Sequence, residues 1–395
     1  MNLLYTSTSY PPAIGGAQLY FHALAKAFAE RNDVRVVTHW DTNRVDWLLG
    51  TTLRAPSVTD DYRIDNVPVH RIAFSFYQRV RSVPGLFSYP ICQRWATQWL
   101  AAALIQKLEV AAPCADLVHN NRIGREPLTL ASLNFAHEHQ IPFVFTPYHH
   151  PRWTGWRYRV YLDLYRQADA LIALTEAEKN TYIDLGVDET RIHVVGAPGY
   201  LSSQVDGNTF RQMYNLGDNP IVLFVGQKYA YKGIDLMLEA TTSVWKTHPS
   251  AVFVFVGPRT KYSKELFSRY EDSRILEVGL VSLQEKSDAF AACDLLCMPS
   301  GQESFGQVFV EAWSLMKPVI AADIPAERAL ITDSVNGFLV TRSAEDVAEK
   351  IIRMLNSEEL RCKMGKQGYR EVQDKYTMER IVEKTGAVYR AVLSK

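Results

Sequence analysis

Short strand-like apolar runs stand at 3–6, 34–38, 143–146 and 171–174. Between the first two, Ala17, Tyr20, Phe21, Leu24, Ala25 and Phe28 return at three- and four-residue spacing, which gives a helix one apolar face. Strand-like runs alternating with helical periods predict parallel α/β layers, with a Gly-containing turn between the first strand and the first helix.

The pattern restarts at Ile221-Val222-Leu223-Phe224-Val225-Gly226 and continues through 252–257, 295–299 and 318–321. A second α/β sheet therefore begins near residue 220. Between the halves, Val195-Gly196-Ala197-Pro198-Gly199 and the polar run 202–208 supply the breakers found at domain boundaries, which puts a linker at about 196–216. The charged segment 344–391 keeps an apolar stripe at Val347, Ile351, Ile352 and Leu355 and reads as helices. The expected division is a first domain over 1–200, a second over 201–375, and a last helix over 376–395.

A chain of 395 residues with 47% hydrophobic and 22% charged residues has the length for two cores and the balance of a globular protein. Lys plus Arg and Asp plus Glu number 43 each, so no global field draws it to nucleic acid. The start carries no signal-peptide pattern and no run reaches the ~20 apolar residues of a membrane span, so a cytoplasmic location is expected. Five cysteines with no Cys-x-x-Cys suggest neither a disulfide framework nor a zinc site.

The most informative stretch is Pro299-Ser300-Gly301-Gln302-Glu303-Ser304-Phe305-Gly306-Gln307-Val308-Phe309-Val310-Glu311-Ala312. A strand ends, a Gly-containing loop follows, and a helix begins near Gly306. A helix N-terminus at the carboxyl end of a parallel strand offers free N–H groups and a positive dipole end, which suits a diphosphate. The N–H groups of Ser304, Phe305 and Gly306 are the candidate donors. Glu303 falls on the loop and Glu311 on the helix; spacing alone leaves open a hydrolytic pair of carboxylates.

After the second domain's first strand, Gly226-Gln227-Lys228 and Tyr231-Lys232-Gly233 bring a Gly and two Lys residues to the strand's carboxyl end, where α/β sheets bind ligands. After strand 1, the Gly15-Gly16 pair permits close backbone approach to a ligand. Histidines follow two other strand-like runs: His119, and the pair His149-His150. They lack the His-Glu-x-x-His spacing of a metal site, so no metal is expected.

These elements together resemble the family 4 retaining glycosyltransferases. The Glu-x7-Glu element of that family is matched by Glu303 and Glu311, and its Gly-Arg…Lys-Gly phosphate clamp by Gly226 and Lys232. The family's Arg is Gln227 here, so Lys228 would have to supply the missing charge. The resemblance implies the GT-B fold, two Rossmann-like domains facing across a cleft, with the last helix crossing back to the first domain. It implies that Glu303 contacts the transferred sugar and Glu311 the ribose, and that Gly15 and Gly16 lie near the donor phosphates. An active-site His is implied after the 143–146 strand; the register leaves His150 and His149 both open. His119 resembles the family's earlier strand-end His.

Residues 66–108 contain no Asp or Glu, while Arg79, Arg81 and Arg94 interleave with Phe76, Tyr77, Phe87, Trp95 and Trp99. Arg152 and Trp153 belong to a second basic and aromatic mixture. Such surfaces bind sugars, phosphates or an anionic membrane, which makes Arg152 and Trp153 acceptor-side candidates, beside His119 through the family resemblance, and leaves open a peripheral contact with the inner face of a membrane.

The implied activity is transfer of a hexosyl sugar, with retention, from a nucleotide-diphosphate sugar to a glycan, a lipid-linked acceptor or a small molecule, in polysaccharide or glycolipid assembly. The nucleotide sugar is a co-substrate and no other cofactor is expected. A GT-B epimerase or phosphorylase, or a silent homologue that binds nucleotide sugar without turnover, remains open.

Overall fold

The computed structural model describes residues 1–13, 15–42, 47–121, 127–149 and 155–394. The chain divides into two compact units: Met1–Gly196 with Met378–Lys395, and Ala197–Thr377.

In the first unit the described strands are β1 (Asn2–Ser9), β2 (Asp33–Trp40), β3 (Asp60–Ile64), β4 (Val67–Arg71), β5 (Leu117–Asn121), β6 (Phe143–Thr146), β7 (Ala170–Ala173) and β8 (Ile192–Val194). Their order is β3-β4-β2-β1-β5-β6-β7-β8. Every pairing is parallel except β3 with β4. Leu3, Leu4 and Tyr5 of β1 are all buried, as expected for a parallel strand covered on both faces. The core joins Leu4, Val37, Val118, Leu133, Phe145 and Leu171. The order runs outward in opposite senses from β1 and β5, so the sheet's topological switch lies between these two strands.

The antiparallel pair was not anticipated from the sequence. Asp65 and Asn66 stand at φ 47° and 65°, and two consecutive left-handed residues are what a tight two-residue hairpin turn requires.

The second unit has β9 (Ile221–Val225), β10 (Val252–Val256), β11 (Ile275–Val278), β12 (Leu295–Met298), β13 (Val319–Ala322) and β14 (Gly337–Val340), in the order β11-β10-β9-β12-β13-β14. All pairings are parallel. Here the switch lies between β9 and β12, and the loops leaving these strands emerge side by side. These are the loops with Lys232 and Glu303.

The last helix, Met378–Leu393, packs within the first unit, with Phe28 of helix Gly16–Ala29 against Tyr389 at a ring separation of 4.9 Å. Among the described residues no helix is long and apolar enough to cross a membrane.

Candidate active site

The β9 and β12 loops are fastened together by backbone contacts. Gly301 N–H donates to the Tyr231 carbonyl at 2.7 Å. Gly233 stands at φ 72°, and a Cβ there would lie 2.4 Å from the Pro299 carbonyl oxygen. Only glycine meets both demands, the left-handed conformation and the close approach. The result places Lys232 beside Glu303, with Nζ 2.5 Å from Oε1 and both side chains largely covered, 14% and 15% exposed. Burial works to lower the Lys232 ammonium, but Glu303 outweighs it and holds lysine above its ordinary value.

Glu311 follows on helix Gln307–Ser314. Its Oε1 accepts from Lys286 Nζ at 2.8 Å and from the Tyr200 N–H at 3.2 Å. Gly199 lies directly over it, since a Cβ at Gly199 would come within 3.3 Å of the Glu311 backbone. Burial pushes the Glu311 carboxyl up, and Lys286 and the Tyr200 N–H pull it back toward the ionised form. The helix is entered through Gly306 at φ 83°, with no side chain capping its N-terminus. Its first N–H groups therefore remain available to an anion. Gly306 and Ser304 flank Phe305, whose ring is buried against Tyr376 at 5.6 Å. Any contribution of Phe305 to an anion comes from its backbone, because its ring is core.

Two residues of this site had no local signature in the sequence. Lys286 sits on helix Leu283–Ala292, far from the Glu element. Glu327 sits on the short helix Pro325–Arg328 after β13 and is fully buried. Burial and the neighbouring Glu303 push its carboxyl well above the usual range, against the opposing pull of Lys232 and the Ala322 N–H.

Lys228 requires a correction. Its ammonium is fully buried and donates to the carbonyls of Gly257 at 2.7 Å and Val278 at 2.6 Å, with Glu277 at 3.4 Å. It ties together the carboxyl ends of β10 and β11 and does not approach Glu303. Burial pushes it down to about 8 despite Glu277. Gln227 is exposed, and Gly226 turns the chain out of β9 at φ 157°.

In the first unit Gly15 caps and Gly16 begins helix Gly16–Ala29 at the end of β1. Gly15 is in extended backbone, φ −178°, and a Cβ would meet the Gln18 side chain, so its absence leaves room for Gln18 to fold back.

His119 is corrected as an acceptor-side candidate. It is fully buried, with Nδ1 2.6 Å from the Tyr389 hydroxyl and Nε2 2.8 Å from Thr146 Oγ1. Burial pushes it down to about 3, so the ring is neutral. Tyr389 also meets the Tyr5 hydroxyl at 2.6 Å. His119 thus joins the sheet to the last helix.

His149 is buried, with Nδ1 3.2 Å from the Tyr165 hydroxyl and its ring edge-on to Tyr165 and Tyr182. His150, Arg152 and Trp153 lie outside the described residues.

The family described as "Glycosyl transferase 4-like domain" matches residues 15–198, and "Glycosyl transferases group 1" matches 206–371. The chain belongs to the GT-B glycosyltransferases of the family 4 type. It is similar to an uncharacterized glycosyltransferase of Methanocaldococcus jannaschii, 29% identical over 56% of this chain and 66% of the relative. It is also similar to alpha-D-kanosaminyltransferase of Streptomyces kanamyceticus, 27% identical over 46% of this chain and 48% of the relative. The matched region thus spans about half to two thirds of these relatives' own length. The crystal structure of Anabaena HepE in complex with UDP-glucose superposes with a TM-score of 0.76, covering 99% of this chain and all of the other at 21% identity. At that identity the likeness establishes the GT-B fold.

Proposed function

We propose that this GT-B glycosyltransferase moves a hexosyl sugar from a nucleotide-diphosphate sugar to a glycan, lipid-linked or small-molecule acceptor, with retention of configuration and without a metal ion. The observation that carries this reading is the junction at the β9/β12 switch. There Lys232, Glu303 and the uncapped helix N-terminus share one loop pair, with Glu311 on the same helix. The UDP-glucose held by the structural relative HepE supports a nucleotide sugar as the donor class.

Lys232 is the cation for the departing diphosphate, and the N–H groups at Ser304, Phe305 and Gly306 add a fixed positive field. Engaging the diphosphate draws Lys232 off Glu303, whose carboxylate then accepts from hydroxyls of the transferred sugar. Glu311, paired with Lys286, accepts from the ribose hydroxyls. The bond from the anomeric carbon to the phosphate oxygen breaks, and the acceptor oxygen bonds to that carbon on the same face. The acceptor's proton passes to the departing phosphate oxygen. Contact with the transferred sugar is the role we assign to the His149–His150 pair.

A lipid-linked acceptor is supported by one face of the first unit. Helix Phe76–Ser88 exposes Phe76, Tyr77, Val80 and Phe87, and Ile91, Trp95 and Trp99 extend the apolar surface onto and along helix Gln93–Ala111. Phe76, Phe87 and Ile91 are each above 80% exposed. Large exposed apolar side chains recurring along two successive helices point to an interaction surface. Arg81 lies over the Trp99 ring at 5.8 Å, in a stretch without acidic residues. Aromatic residues with basic ones on a helix face suit an anionic lipid headgroup layer.

The test is turnover of a nucleotide sugar with a panel of acceptors in EDTA, with the product's anomeric configuration read by NMR. A product of retained configuration formed in EDTA supports the reading. An inverted product, or turnover that needs a divalent cation, contradicts it.

A further inference from the structure

The chain leaving β6 makes a turn that its surroundings must hold in place. Tyr148 stands at φ 47°, in the left-handed region that a bulky residue enters only under constraint. One buried carboxylate supplies the restraint on the next residue. Glu178 Oε1 accepts the His149 N–H at 2.7 Å and the Tyr182 hydroxyl at 2.5 Å, and Oε2 accepts the Leu174 N–H at 2.7 Å. Leu174 directly follows β7, and Glu178 lies in the first turn of helix Glu176–Asp184, whose cap Thr175 receives the Glu178 N–H at 3.0 Å. A single side chain therefore joins the β6 exit, the β7 exit and the start of a helix.

We propose that Glu178 is the positioning residue of His149: its carboxylate clamps the His149 backbone to the end of β7. The functional half of this proposal rests on the sugar-transfer role assigned above to the His149–His150 pair. Glu178 is not a catalytic residue, since it acts through the backbone of its neighbour.

The clamp has a charge state. Tyr182 faces the carboxyl from its own helix, Tyr148 and His149 from the β6 loop, Tyr165 from helix Arg159–Gln167 through its contacts with Tyr182 and His149, and Tyr20 from helix Gly16–Ala29. Among the described residues no lysine or arginine pairs with it. Burial pushes the carboxyl up to about 7, opposed by the three hydrogen bonds it accepts. An ionised carboxylate satisfies all three donors, whereas a protonated one turns an oxygen into a donor and sets it against one of them. Glutamine at this position makes the same mismatch permanent.

The experiment compares the full-length wild type with Glu178→Gln and Tyr182→Phe, from about pH 5.5 to 8.5, by backbone hydrogen exchange of residues 143–149 and by steady-state rates. In the wild type, protection at His149, corrected for intrinsic base catalysis, is expected to fall as the pH drops through about 7. Glu178→Gln is expected to lack that protection at every pH and to bind the free nucleoside diphosphate within about twofold of wild type, with kcat reduced about 10- to 100-fold. Tyr182→Phe removes one donor to the carboxylate and is expected to move the midpoint of protection upward, which keeps the test open should the glutamine variant fail to fold. Wild-type protection and rate in Glu178→Gln overturn the proposal. So does a loss of nucleoside-diphosphate binding in step with the loss of rate, which marks general damage. If the wild type consumes no nucleotide sugar, the transfer reading fails, and the exchange data alone confirm or overturn the clamp.

Discussion

Lys232 and Glu303 are 71 positions apart in the chain and meet at 2.5 Å, because β9 and β12 are neighbours at the switch of the second sheet. The pair cancels charge where the donor diphosphate is proposed to sit. A ligand that takes Lys232 must therefore repay the broken ion pair, and Glu303 must find new donors at the same moment. Hydroxyls of a sugar attached to that diphosphate are suited to do so. A free nucleoside diphosphate satisfies only half of the exchange, so the sugar is expected to add to affinity as well as to supply the reacting carbon.

Replacing Lys232 with Ala removes the diphosphate's charge partner and leaves Glu303 uncompensated. Donor affinity is expected to fall about 100-fold, from the loss of a charged hydrogen bond of about 2–3 kcal/mol. Isothermal titration with a nucleotide sugar measures it. Affinity within twofold of wild type would remove Lys232 from the phosphate site.

Lys228→Met separates the two lysines. The substitution strips the Gly257 and Val278 carbonyls of their buried donor, which is expected to cost stability, about 2–4 kcal/mol. Donor affinity is expected to stay within about twofold of wild type under conditions where the variant is folded. Chemical denaturation and titration together check both halves; a large loss of affinity at unchanged stability would return Lys228 to the donor site.

The aromatic face of helix Phe76–Ser88 predicts binding to vesicles that contain anionic lipid. Phe76→Ser with Phe87→Ser is expected to weaken co-sedimentation tenfold or more, because each ring leaves roughly 2 kcal/mol of apolar transfer behind. Added salt is expected to weaken binding of the wild type. Equal sedimentation of wild type and variant, or a concentration-dependent dimer that the variant abolishes, would assign this face to something other than a membrane.

Much of this architecture was legible because parallel strands and amphipathic helices leave strong periodic marks. The restart at Ile221 and the Gly-rich exits of β9 and β12 are local features, and Lys232 and Glu303 could be placed on adjoining loops by resemblance alone. Chain position does not say which way a side chain leaves a turn, and the Lys228 ammonium lies on strand-end carbonyls in the interior. Lys286 and Glu327 reach the site from other elements and carry no motif of their own. The β3–β4 hairpin is marked only by Asp65-Asn66, a turn signal much weaker than the longer helical and strand-like periods around it. His119 looked like a ligand-facing strand-end histidine, yet its partner Tyr389 is 270 positions away, a distance at which local pattern is silent.

The most direct test of the donor site is thermal stabilisation against UDP-, GDP-, ADP- and TDP-sugars, with and without EDTA, for the wild type and for Glu311→Ala. A ligand that binds only the folded state stabilises it by RT ln(1 + L/Kd), with L the free ligand concentration, and so raises its melting temperature. One nucleotide series is expected to stabilise the wild type equally in EDTA, and Glu311→Ala is expected to lose that shift. Absence of a shift with every series, or an undiminished shift in Glu311→Ala, would contradict the assignment of Glu311 and its helix to the nucleotide.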